Sequence, residues 1–480
     1  MQLVKLITPK KIKTLHCISL AFLVSFPAAF NPAFSQDNSP YSRYGIGDLV
    51  PQSNILNRGL GGVSAAYADR LSINFNNPAS YSFFEAHKEP KSKKIVYGRA
   101  ILDVGVNFDT HTLQESNPPK KFVTGNGLFS YLQVGLPLKQ NWGLSFGLRP
   151  ISRISYKIIK DETLINPIPP NDTIERAITR YEGTGGAYLV SVGTGFSLFN
   201  NIKFGGKAIQ RLSAGLNAGY LFGKKDYSTR RSLINDTVVF YQGNFQTRTT
   251  YGSPFISAGL HYLATLDTGS RVSLSIGAYG NWGQKISASQ DILRETFVFD
   301  DNLGEVRLDS VYDQKDIKGK IVLPSSFTVG FILQKPMIME GQRKETGWLV
   351  GADFTVQNWS KYRSFGQADS VRNRWELRIG GQITPVQRKN YLSNVTYRAG
   401  FFIGPDYIKV GNKLTTIGGS FGMGLPVAIS RQAPNQFTII NVAMEYSKRG
   451  NNSNLLRENL FRISLGFSLS DMWFGKRKYD

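Results

Sequence analysis

The chain has 480 residues, a formal net charge of +23 and 48 glycines; 41% of its residues are hydrophobic and 12% aromatic. That hydrophobic fraction excludes a bundle of membrane helices, and the length suits either two or three soluble domains or one large closed sheet. The basic residues are dispersed mostly one at a time, without an Arg-rich helix or zinc-finger spacing, which argues against a nucleic-acid partner.

Residues 1–35 read as a signal peptide. Lys5, Lys10, Lys11 and Lys13 form its basic region, residues 18–30 its apolar core, and Ala33 and Ser35 the small residues of a cleavage site. Pro27 interrupts the apolar run, and roughly 20 apolar residues would be needed to span a membrane. Gln36 is expected to begin the mature chain. Removing the four signal lysines leaves a charge of +19. The only cysteine, Cys17, lies in the signal, so the mature chain holds no thiol, disulfide or Cys-ligated metal.

Residues 36–90 are rich in Gly, Asn and Ser, as in Arg58-Gly59-Leu60-Gly61-Gly62 and Asn74-Phe75-Asn76-Asn77-Pro78-Ala79. So short and glycine-rich a piece cannot hold its own core, which predicts a plug or hatch packed in something larger.

Residues 91–480 carry about fourteen strand-like segments. They start near 94, 121, 141, 176, 202, 240, 271, 317, 346, 373, 393, 413, 435 and 459. Their signature is a period of two. Trp142, Leu144, Phe146 and Leu148 oppose Gly143, Ser145, Gly147 and Arg149; Phe461, Ile463, Leu465, Phe467 and Leu469 oppose Arg462, Ser464, Gly466 and Ser468. A charge on a lipid-facing row costs roughly 2–4 kcal/mol at midplane, so Arg149, Arg378 and Arg462 should face the interior or a rim. Residues 138–141, 199–201 and 267–270 read as tight turns, and 159–175, 223–245 and 290–316 as long polar loops. Short inner turns with long outer loops fit an outer-membrane barrel. The fold class is therefore all-β, a transmembrane antiparallel β-barrel of about 14 strands with an N-terminal hatch inside.

Chemistry-bearing motifs are sparse. Outside the signal, His87, His111 and His261 stand alone, without metal-ligand spacing. Gly418-Gly419-Ser420-Phe421-Gly422 matches a nucleophile elbow, but no histidine follows His261 and the motif reads as strand. Asp300-Asp301 reads as solvated loop charge. No cofactor, metal site or enzyme activity is expected.

Several stretches resemble the FadL/TodX family of outer-membrane transporters. They are the 65–79 segment with Asn77-Pro78-Ala79; Leu323-Pro324-Ser325-Ser326, Gly351-Ala352-Asp353-Phe354 and Asn358-Trp359-Ser360-Lys361-Tyr362; and Leu377-Arg378-Ile379-Gly380-Gly381, Tyr397-Arg398-Ala399-Gly400-Phe401 and Pro405-Asp406. Residues 90–310 align only as generic barrel. The resemblance implies a fourteen-stranded plugged barrel in the outer membrane of a Gram-negative cell. It further implies passive uptake of hydrophobic molecules such as long-chain fatty acids through a gap in the wall. Asn77, Pro78 and Ala79 would form the hatch corner: Pro78 fixes its own φ and biases Asn77 away from helix. The partners are then outer-membrane lipid and a hydrophobic small molecule. The alternative is a FadL-fold accessory of type IX secretion, with a secretion or surface protein as partner. The C-terminal Trp473–Asp480 stretch departs from the terminal aromatic common in such barrels.

Overall fold

The computed structural model describes residues 39–88, 95–116, 118–163, 176–204, 208–234, 240–300, 304–411, 413–427 and 437–473. The signal peptide and most of the C-terminal 473–480 stretch lie outside the described residues.

Sixteen long antiparallel strands build the wall: β1 (Ile95–Ser116), β2 (Pro119–Lys139), β3 (Trp142–Glu162), β4 (Arg176–Phe204), β5 (Ala208–Ile234), β6 (Gln242–Asp267), β7 (Val272–Asn281), β8 (Gln284–Asp300), β9 (Gly304–Leu323), β10 (Ser326–Lys335), β11 (Gly347–Gln357), β12 (Arg374–Thr384), β13 (Thr396–Pro405), β14 (Thr415–Val427), β15 (Phe437–Arg449) and β16 (Leu456–Trp473). β7 pairs directly with β10. The β8–β9 hairpin continues these two strands upward, so fourteen strands close the barrel, with β16 sealing against β1. Pairing around the ring satisfies the strand backbones, as hydrocarbon requires, except where β2 and β3 part above Leu132 and Leu148.

The alternating rows face as the sequence predicts. Phe146, Ile276, Phe331, Ile379 and Phe461 are exposed on the outer wall, whereas Ser145, Ser275, Arg462 and Ser464 are buried inside. Arg462 forms a two-pronged ion pair with Asp109 at 2.7 Å, across the closing seam. Arg378 binds Glu376 at 3.0 and 3.1 Å.

The wall is lopsided. β4, β5 and β6 run for 29, 27 and 26 residues, but β13 for only 10. At about 3.3 Å per residue, 29 residues span about 95 Å, whereas 9–11 tilted residues cross the hydrocarbon. One side therefore stands far above the membrane as a sheet of β4, β5, β6, β8 and β9. This corrects the predicted loops at 223–245 and 290–316, most of which are strand. Both faces of this sheet meet water, so the oily row disappears and polarity mimics a loop. The turn expected at 199–201 is also strand, which continues to Phe204 through two register shifts.

Residues 39–84 pack against inward-facing residues of the wall. Small luminal residues let their backbone touch the wall: a Cβ at Gly277 would stand 1.8 Å from the Ala65 carbonyl oxygen, at Gly400 2.0 Å from the Gly61 nitrogen and at Gly380 2.2 Å from the Leu60 carbonyl. Gly143, Gly195 and Gly215 meet residues 78–81 in the same way. A girdle of glycines thus grips the hatch. Asp353 adds a polar clamp, its carboxylate accepting the Ser64 and Ala65 amides at 2.7 and 2.9 Å.

Above the hatch, residues 39–49 form a strap across the outer mouth. Tyr41 and Ile46 join a buried cluster with Leu221, Trp359, Tyr362 and Tyr407. Gly45 and Gly47 take positive φ, and their carbonyls accept hydroxyls from Tyr362 (2.9 Å to Gly45) and Tyr407.

Candidate functional site

The site begins where the wall parts. β2 and β3 pair only between residues 132–139 and 142–148. Above that point β2 bonds to β1 alone, out to Pro119, and β3 to β4, out to Glu162. Both strands change register at the same height. Ser130 is an extra residue in β2 opposite Gly105 and Val106, and Ile151 is an extra residue in β3 opposite Tyr188 and Ala187. Such bulges bend a strand away from its neighbour, and Pro150, lacking an N–H, cannot donate to one. Among the described residues the freed edge of β3 is met by the strap and the residues just after it, Asp48 and Leu49 pairing with Arg153 and Ser152 and the Val50 amide donating to the Ile151 carbonyl at 3.1 Å.

Behind the gap lies a cavity of about 1180 Å³ between strap and hatch. Strap residues 46–52 roof it, and Arg58, Gly61, Gly62 and Asn76 form its floor. Leu128, Phe129, Pro150, Ile151 and Ile154 line the side toward the gap, and Tyr188, Leu221 and Phe255 continue the lining along the next strands, β4, β5 and β6. The cavity is therefore largely apolar where it meets the membrane.

Its charged groups are mostly neutralised. Arg449 meets Asp406 at 2.8 Å, Asp48 at 2.9 Å and Glu458 at 3.2 Å. His111 bonds Glu458 at 2.5 Å. Arg58 ties the hatch to three strands, donating to Asn107 at 2.6 Å, Ser130 at 2.7 Å and Ser464 at 3.4 Å. Burial lowers its guanidinium to about 10, which leaves it charged at neutral pH. Arg149 is different. It lies 4.8 Å over the Phe75 ring, and its two hydrogen bonds, to the Phe75 carbonyl and the Asn76 side chain, are both 3.5 Å long. Its Nε has no hydrogen-bond partner, and it makes no ion pair among those of the described residues. Arg149 is thus a weakly held cation at the base of the gap.

The predicted hatch corner lies elsewhere. Asn77 is buried and caps the short helical turn Pro78–Phe83, its side chain accepting from the Ala79 amide at 3.1 Å. Its amide also donates to the carbonyls of Ala65 at 2.6 Å and Leu260 at 2.9 Å. Pro78 packs on Gly195 and Gly215. Asn77, Pro78 and Ala79 do not line the cavity, whereas Asn76 does. Ser420 sits on the regular strand β14, and its hydroxyl accepts the Gly61 amide at 2.9 Å, a hatch contact rather than an elbow. His261 bonds the Ala66 carbonyl at 3.0 Å. The His87 side chain and Asp301 lie outside the described residues. Among the described residues no three His, Cys, Asp or Glu side chains converge as a metal site. Arg149 faces inward, within the interior-or-rim placement expected from its row; Pro150 gave no expectation there, although a proline inside a strand signals a bulge or a free edge.

A family model described as BamG matches residues 12–480. The chain belongs to the BamG family. That name differs from the FadL/TodX resemblance read in the sequence. Solved structures similar to this BamG-family chain include a FadL homologue of Pseudomonas aeruginosa, at 13% identity and TM-score 0.47 over 90% of this chain and 100% of that one. The monoaromatic hydrocarbon channel CymD is 12% identical, with TM-score 0.45 over 89% and 98%. The toluene transporter TodX of Pseudomonas putida is 14% identical, with TM-score 0.43 over 89% and 99%. Likeness at that level carries no argument about what this chain does. Among curated proteins none matches the chain.

Proposed function

We propose that this BamG-family barrel is an outer-membrane channel for passive uptake of hydrophobic or amphipathic small molecules, long-chain fatty acids among them. The observation that carries the reading is the parting of β2 from β3 in front of the cavity. An oily solute crosses a water-filled pore poorly, and a side opening lets it pass between cavity and membrane without full hydration. Leu128, Phe129, Ile151 and Ile154 would contact its apolar part, and Arg149 would pair with an acidic head group. Asn77, Pro78 and Ala79 would act as the stiff corner of the hatch on the way to the periplasm. The mature chain would reach a Gram-negative outer membrane through the signal at residues 1–35.

The test is uptake of labelled long-chain fatty acid and of uncharged hydrophobic solutes by cells with and without the gene. The reading expects slower uptake without it for at least one solute. Equal uptake across the series removes it.

A further inference from the structure

The outer wall changes character at the seam of β15, β16 and β1. Met444, Tyr446 and Phe461 point outward and are exposed, as lipid-facing rows require. Two residues beyond Tyr446 on the same face stands Lys448; two and four residues beyond Phe461, toward the outer rim, stand Asn459 and Arg457. Lys448 pairs with Asn459, and Arg457 with Gln114. With the loop at residues 450–453, these four side chains line an open surface pocket of about 630 Å³. Two cations, four side-chain amides, Gly450 and Ser453 line it, and no carboxylate does. Glu445 and Glu458, on the same two strands, point into the barrel, where they meet Arg462 at 3.8 Å and Arg449 at 3.2 Å.

The cations here are available. Lys448 lies 6.0 Å over the Tyr446 ring and makes no ion pair among those of the described residues. Arg457 donates one Nη1 bond to Asn452, while its buried Nε has no hydrogen-bond partner. A third cation, Lys121 of β2, pairs with Gln114 in the same outward row. The vertical order is aromatic below and cationic with amides above. That is the order of an outer-leaflet amphiphile read from its tails to its headgroup. A guanidinium suits a phosphate in a forked geometry, and side-chain amides suit sugar hydroxyls.

We infer that the pocket of Gln114, Lys448, Arg457 and Asn459 binds the phosphorylated sugar headgroup of an outer-leaflet glycolipid. This site faces the membrane rather than the lumen and is independent of the solute cavity. Its occupant would be a structural lipid that anchors the β15–β16–β1 seam at the headgroup level.

The full mature barrel, purified in detergent, is tested with three probes: phosphorylated lipid A, its dephosphorylated form and inorganic phosphate. Native mass spectrometry or fluorescence displacement reads the binding. The wild type should hold phosphorylated lipid A at least about tenfold more tightly than the dephosphorylated form. The double variant Lys448→Gln/Arg457→Gln should lose that preference, and the periplasmic-turn variant Arg271→Gln should keep it. Millimolar inorganic phosphate should fail to displace the lipid. Heat-modifiable gel mobility checks that each variant is folded, and Lys448→Gln alone, at an exposed position, should give a smaller loss in the same direction. Equal binding of the two lipids by the wild type, or an unchanged preference in the folded variants, overturns the inference. Full displacement by phosphate also overturns it, by reducing the site to one for free anions.

Discussion

Replacing Asp353 with Ala removes the acceptor of two hatch amides. Ser64 and Ala65 donate to one carboxylate oxygen at 2.7 and 2.9 Å, and Asp353 is buried at 1% exposure. A buried N–H left without a partner costs about 1–3 kcal/mol, so two cost about 2–6 kcal/mol against hatch docking. At 1.4 kcal/mol per decade this weakens docking by at least about 25-fold. Asp353→Asn keeps an oxygen acceptor and loses the charge assistance, so its effect should be about half as large. A released hatch opens a water-filled path through the lumen. Single-channel recording in planar bilayers should therefore show long open events in Asp353→Ala, rarer ones in Asp353→Asn and almost none in the wild type. Limited proteolysis should cut residues 54–84 in the same order. A closed, protease-resistant Asp353→Ala barrel would refute the view that this carboxylate clamps the hatch.

Other outcomes follow from the same contacts. Gly400→Ala puts a Cβ 2.0 Å from the Gly61 nitrogen, a backbone atom, so it should displace the hatch and raise conductance, while Gly125→Ala, whose added Cβ would meet nothing nearer than 3.9 Å, should leave conductance unchanged. Asp109→Asn removes the two-pronged partner of the buried Arg462, which keeps Glu445 at 3.8 Å, and should cost less than the about 3–5 kcal/mol of a fully unpaired buried charge, read as a lower temperature of heat-modified gel mobility; exchanging the two residues should recover part of it. Deleting Ile151 together with Pro150→Thr removes the bulge and restores a donor, so β3 should pair with β2 above Leu148. Hydrophobic uptake should then fall severalfold while the barrel stays folded. Arg149→Gln should slow uptake of a carboxylate-bearing solute and spare a neutral one of similar size, with Arg149→Lys in between.

The lipid-facing rows were legible because hydrocarbon on one side and hatch or water on the other impose a strict period of two, as in 461–469. That pressure ends above the membrane, which is why β8, β9 and the upper parts of β5 and β6 read as loop. The luminal direction of Arg149, Arg378 and Arg462 followed from the cost of a charge in lipid. The partner of Arg462 did not, because Asp109 lies 353 positions away in the chain and only closure of the barrel brings them together. Residues 36–90 stood out only as a glycine- and asparagine-rich stretch. The matching glycines of the wall, such as Gly277 and Gly380, looked like ordinary small members of a polar row. The wall gap depends on two bulges aligning across neighbouring strands, a coincidence of height that no local pattern encodes; Pro150 was its one local trace.

The most direct test is a crystal or cryo-electron structure of the barrel soaked with a brominated long-chain carboxylic acid. The account predicts bromine density among Leu128, Phe129 and Ile154, with the carboxylate within hydrogen-bond distance of Arg149. Bromine found only along the outer wall, with nothing behind the parted strands at saturating ligand, would contradict it.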